Sequence, residues 1–258
     1  MTDTDKLVLA VSGKGGVGKT TVTALITRLL SESGKYDVLV IDANPDSNLP
    51  DVLGIPVAKT VGDMATALRK SIEKGEIPLQ VSKRELLESR VFEVLKETPD
   101  FDLLVMGRTE GEGCYCLVNS LLTHIIDTLS KNYDLTIMDM EAGLEHLSRR
   151  TSRDVDIMLI VTDLSFMGFQ TARRIKELAK EVHIEFKKLY LIGNRYTKDK
   201  EGIVMKKAEE IGIEYGCIVP PDENVLRHNL EGIPLTKLPP DTPAIQAVKA
   251  FLTKIGLL

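Results

Sequence analysis

The stretch Gly13-Lys14-Gly15-Gly16-Val17-Gly18-Lys19-Thr20 restricts the possible folds of this chain more than any other. It fits G-x-x-x-x-G-K-[ST], a loop whose backbone N–H groups cradle a phosphate chain. Before it, Leu7-Val8-Leu9-Ala10-Val11 is an apolar run short enough for a buried strand. After it, Val22, Leu25, Ile26, Leu29 and Leu30 recur at helical spacing over residues 21–33. Gly34 then stands where a helix would end. Glycine permits positive φ and close approach of the backbone to an anion, and the helix N-terminus adds positive potential. The expected ligands are ATP or ADP with Mg²⁺, held by Gly13 through Thr21. Lys19 is expected on the β and γ phosphates, and the Thr20 hydroxyl in the Mg²⁺ shell.

Two acids stand where such a site needs them. Val38-Leu39-Val40-Ile41 reads as a strand ending in Asp42, followed by the polar, turn-rich Ala43-Asn44-Pro45-Asp46-Ser47-Asn48. Leu135-Thr136-Ile137-Met138 reads as another strand ending in Asp139. Open α/β sheets place their ligands at the carboxyl ends of strands, and an acid there can hold Mg²⁺ through water. Further strands are expected over residues 101–107, 157–162, 188–195 and 215–219. Helices are expected over residues 60–73, 85–96, 117–129, 165–181, 201–211 and 242–255. This alternation implies an α/β fold, a P-loop NTPase with a mostly parallel sheet covered by helices on both faces. One domain over residues 1–258 is expected, with residues 50–99 as a helical insertion on its surface.

Composition narrows the classes. Of 258 residues, 43% are apolar, enough for a substantial core. The net charge is −5 with no long basic run, against broad nucleic-acid binding. No apolar stretch reaches membrane-span length, and Met1-Thr2-Asp3-Thr4-Asp5 does not resemble a secretory leader. A cytoplasmic protein with no membrane and no nucleic-acid partner is expected. Three cysteines in a reducing compartment do not suggest a disulfide framework.

Two of them form Cys114-Tyr115-Cys116, in a glycine-rich loop ahead of an expected helix. A helix N-terminus favours thiolate, the form that binds metal. Two thiolates are too few for a closed tetrahedral site, and a symmetry mate could supply the rest. Spacing alone also fits two small buried residues near a helix start. Cys217 lies inside an expected strand and reads as core.

Lys14 is not required by an ordinary phosphate loop, and K-G-G-V-G-K-T resembles the deviant Walker A group that includes MinD, ParA and nitrogenase iron protein. That resemblance implies an ATP-dependent homodimer in which Lys14 acts on the partner's nucleotide; a solvated loop lysine is the plain alternative. It implies switch segments after Asp42 and Asp139, with Asp42 holding the Mg²⁺ shell or orienting the attacking water and Asp46 close by. Asn194 would read the adenine edge, and Pro220-Pro221-Asp222 would contact the base. Gly113-Cys114-Tyr115-Cys116 together with Asp139-Met140-Glu141-Ala142-Gly143-Leu144-Glu145-His146-Leu147 is similar to the CooC and AcsF type of nickel-insertion ATPase. This implies Ni²⁺ or Zn²⁺ shared by Cys114 and Cys116 of two subunits, and carbon monoxide dehydrogenase or acetyl-CoA synthase as client. A MinD- or ParA-like positioning ATPase without metal cargo stays open, as does a redox partner with a shared iron–sulfur cluster.

Overall fold

The fold is built outward from one central strand. In the computed structural model, which describes residues 6–75, 90–108, 129–141, 155–181 and 186–258, β1 (Leu7–Gly13) lies between β5 (Leu135–Asp139) and β6 (Val155–Thr162). The other strands are β2 (Val38–Asp42), β3 (Lys96–Glu97), β4 (Asp102–Val105), β7 (Phe186–Asn194) and β8 (Glu214–Val219). The sheet order is β3-β4-β2-β5-β1-β6-β7-β8, and every pairing is parallel except β3 with β4. The chain leaves β1 toward β2 on one side and later crosses to β6 on the other. The strand order therefore reverses at β1, where open sheets of this kind carry their ligands.

Seven helices accompany the sheet: α1 (Lys19–Glu32), α2 (Leu49–Leu53), α3 (Val61–Glu73), α4 (Phe166–Glu181), α5 (Glu201–Ile211), α6 (Glu223–Glu231) and α7 (Pro243–Lys254), counted among the described residues. Parallel strands buried on both faces need apolar residues at every position, and β1 shows it. Leu9 and Val11 join the cluster with α1 and α7, whereas Val8 and Ala10 join the cluster with α3, α4 and α5. Local signals set the ends. Gly34 takes φ 65 after α1, and Ser165 Oγ accepts from Gly168 N at 3.0 Å to cap α4.

Two expectations need correction. Residues 50–99, read as a surface insertion, supply Val61, Met64, Ala65, Leu68, Val91 and Val94 to the core. The i, i+3, i+4, i+7 spacing of the first four in α3 is the pattern of a core-facing helix. Lys96, expected at a helix end, instead pairs with Leu103. The turn at Thr98-Pro99-Asp100 brings the chain back, with Phe101 N donating to Thr98 Oγ1 at 3.1 Å. The short helices α2 and α6 went unread, because five and nine residues give little periodicity. The expected helix over 117–129 lies outside the described residues except for its last residue, as does 142–150 after Asp139.

Leu9 is fully buried in β1, whereas Phe166 is 73% exposed. Leu9→Ala should lower unfolding free energy by about 2–5 kcal/mol. Phe166→Ala should change it by less than about 0.5 kcal/mol. Denaturant titration measures both.

Candidate functional site

The sheet register brings the site's groups to one edge. Val11 of β1 aligns with Asp139 of β5, and Asp139 aligns with Asp42 of β2. Ala43 N donates to Asp139 O and Met140 N to Val11 O, both at 2.9 Å, so the strand ends are tied together. The loop leaves β1 at Gly13, which takes φ 146; a Cβ there would lie 2.2 Å from Val161 O. Only glycine allows the chain to cross the end of β6 at this distance. Gly16 and Gly18 take φ 82 and 92, also outside the range of ordinary residues.

Lys19 and Thr20 then begin α1. The Lys19 side chain is buried, and its ammonium donates to Lys14 O at 3.4 Å. Burial lowers its pKa, while the charges of Asp139 and Glu141 oppose that shift. Thr20 Oγ1 donates to Asp139 Oδ2 at 2.6 Å. Thr23, one turn further, donates to Asp139 Oδ1 at 3.3 Å and to Lys19 O at 3.0 Å. Thr23 was not among the expected residues. Its spacing of four from Lys19 on one helix face was the available signal.

Both carboxylates are buried. Asp42 accepts Asn44 N at 3.1 Å and Leu49 N at 3.0 Å. Burial, and then the charge of Asp139, push its pKa up to about 7. Burial pushes Asp139 up to about 6, against the hydrogen bond from Thr20 and the charge of Lys19. Two buried acids beside a hydroxyl form a hard oxygen donor set, and their reluctance to ionise in the ligand-free chain fits the place of a divalent cation.

Lys14 does not turn toward this pair. Its Nζ lies 3.9 Å from Asp163 Oδ2, just past the end of β6. Asp46 pairs with Arg108, which precedes the cysteine loop in sequence.

The expected base contacts gather in a cleft of about 540 Å³ beside the start of α1, lined by Thr21, Asn194, Pro220, Pro221 and Asp222. Arg195, Val225, Leu226 and Asn229 are also on its walls. The Asp222 carboxylate is engaged with backbone: Oδ1 accepts Asn224 N at 2.9 Å, capping α6, and Oδ2 accepts Ala244 N at 3.0 Å, fastening α7. Arg195 takes φ 62, which sequence could not show because the conformation is imposed by neighbours. Cys114, Cys116 and His146 lie outside the described residues. Cys217 is in β8, and burial pushes its thiol up to about 12, which keeps it protonated and a poor metal ligand.

A family model described as the CobQ/CobB/MinD/ParA nucleotide binding domain matches residues 8–235. The chain belongs to this family. Members of the CobQ/CobB/MinD/ParA family are nucleotide-binding P-loop proteins, and this one is an ATPase of the MinD/ParA class. An uncharacterized ATP-binding protein of Methanocaldococcus jannaschii is 46% identical over 96% of this chain and 98% of its own length. The carbon monoxide dehydrogenase accessory protein CooC of Rhodospirillum rubrum is 32% identical over 80% of this chain and 81% of its own. The fold matches the septum site-determining protein MinD complexed with Mg-ADP from Pyrococcus horikoshii, with TM-score 0.70 and 23% identity over 97% of this chain and 96% of that one. No helix among the described residues is long and apolar enough to cross a membrane.

The acid pair sets a pH dependence. A carboxyl whose folded pKa is raised stabilises the folded state below the unfolded pKa, and that contribution is lost as pH rises through the folded value. Protein free of nucleotide and magnesium should therefore lose stability from about pH 4 to about pH 7 through Asp42 and Asp139. Added magnesium nucleotide should flatten the profile. Denaturant midpoints across that range, with chelator or with nucleotide, measure it.

Proposed function

We propose that this protein is an ATP-hydrolysing metallochaperone of the CooC kind. It binds nickel, or zinc, between two subunits and promotes nickel insertion into carbon monoxide dehydrogenase or acetyl-CoA synthase in the cytoplasm. The observation that carries the nucleotide part is the meeting of Thr20, Thr23 and Asp139 beneath a glycine loop, with Lys19 buried beside them. The cargo part is supported by the Cys114-Tyr115-Cys116 pair and by the likeness to the R. rubrum accessory protein.

In this reading the loop's N–H groups and Lys19 bind the β and γ phosphates. Thr20, Asp42 and Asp139 hold the magnesium shell, and magnesium supplies charge neutralisation on the phosphates. Asp42 or Asp139 positions the water that attacks the γ phosphate. Lys14 leaves Asp163 and reaches the partner's nucleotide when two chains meet. Hydrolysis relaxes the segments after Asp42 and Asp139. That motion draws the two cysteine pairs together or apart, and so holds or releases the ion.

Soft thiolates favour nickel and zinc over magnesium, and four ligands require both chains. Titration of reduced protein with nickel should give about one ion per two chains. It should drive dimer formation and weaken at low pH, where protons compete for the sulfurs. Cys114→Ala or Cys116→Ala should abolish this and leave ATP affinity nearly intact, while Cys217→Ala should do neither. Thiolate charge-transfer absorbance and molecular mass report the result. Full-affinity binding by a monomer or by the double Cys→Ala protein contradicts the shared site. Iron with acid-labile sulfide in anaerobically purified protein would favour a redox partner instead, and absence of any bound metal a positioning ATPase.

A further inference from the structure

Arg195 follows β7 and holds φ 62, one of two non-glycine residues with positive φ among those described. Such a conformation is costly for a residue with a Cβ. Arg195 N donates to Asn194 Oδ1 at 3.1 Å in this turn. The side chain lies against the phosphate loop: a Cβ on Gly18 would be 3.9 Å from Arg195 Nη2. Arg195 also lines the cleft of about 540 Å³ together with Thr21 of α1. The residue is exposed, and its guanidinium has no hydrogen bond or ion pair among the described residues. Other cations of this edge are engaged. Lys19 donates to Lys14 O and feels the charge of Asp139, Lys14 faces Asp163, and Arg108 pairs with Asp46.

We propose that the Arg195 guanidinium binds the phosphate nearest the ribose of the nucleotide. Lys19, Thr20 and Asp139 mark the other end of the polyphosphate, where lysine and magnesium meet the β and γ groups. The cleft beside α1 takes the base end. Between the two runs the stretch from Gly18 to Thr21, and Arg195 stands beside it. The phosphate that passes there is the α one. Loop and helix N–H groups offer it partial charges. The guanidinium adds a full positive charge and a planar fork of donors that suits phosphate oxygens. The strained turn then has a use. Glycine would hold φ 62 without strain, but would carry no charge to the cleft.

This inference rests on the nucleotide reading of the loop. The test titrates the full chain, with magnesium, against ATP, ADP, AMP and CTP. All four carry an α phosphate, so Arg195→Gln should weaken all four alike, by about tenfold or more. Arg195→Lys keeps the charge without the fork and should restore part of the affinity. Arg195→Gly should weaken binding as Arg195→Gln does, yet raise the thermal unfolding midpoint, because it relieves the turn. A merely structural arginine would move stability and binding the same way. Thermal unfolding also establishes that each variant is folded. Arg195→Gln protein that binds like wild type would overturn the proposal. So would a loss that shrinks from ATP to AMP, which would put the contact on an outer phosphate. A loss marked for ATP and slight for CTP would overturn it in favour of stacking on the base. Wild-type protein that binds none of the four would overturn the nucleotide reading itself, and this inference with it.

Discussion

Three charges are buried together at the carboxyl edge of this sheet, and the site is arranged around the cost of keeping them there. Lys19, Asp42 and Asp139 are all at least nine-tenths shielded from solvent. One cation does not satisfy two anions in a low dielectric, and burial moves all three pKa values toward the neutral forms. The hydroxyls of Thr20 and Thr23 and the backbone N–H groups of Asn44 and Leu49 reduce the imbalance without removing it. A polyphosphate over Lys19 and a divalent cation beside the acids complete the balance. In the proposed function this favours binding magnesium and nucleotide together, since either alone leaves like charges facing.

The surrounding fold supplies the rigidity this arrangement needs. β1 is covered on both faces and paired on both edges, so the loop springs from a strand that is held on every side. Gly13 crosses the end of β6 with no room for a side chain, and Asn194 meets the far side of the loop from β7. The phosphate loop and the cleft beside α1 thus share one support.

Much of this was legible in the sequence, for stated reasons. A buried parallel strand is a short unbroken apolar run, and seven such runs became β1, β2, β4, β5, β6, β7 and β8. The phosphate loop announces itself through glycines that no other residue replaces, and the acids after β2 and β5 follow from where such sheets place ligands. What stayed hidden depends on distant partners. Lys96 and Glu97 carry no strand pattern and pair only because a turn folds them onto β4. The core role of α3 was masked by its charged outer face. The resemblance implies that Asn194 reads the base, but its tie to the phosphate loop was not readable. Its engagement with Val17, 177 positions away in sequence, exists only in the folded chain. The metal-binding expectation for Cys114 and Cys116 lies outside the described residues and rests on the sequence.

The central claim is that the loop over Lys19 is an ATP-hydrolysing centre separable from the cysteine pair. Steady-state ATP turnover of Lys19→Ala, measured beside nickel binding on the same preparation, tests it most directly. The account predicts turnover reduced by about a hundredfold or more, with nickel affinity of the reduced protein unchanged. Turnover within about twofold of wild type would contradict it, because the buried lysine could not then be the group that holds the transferring phosphate.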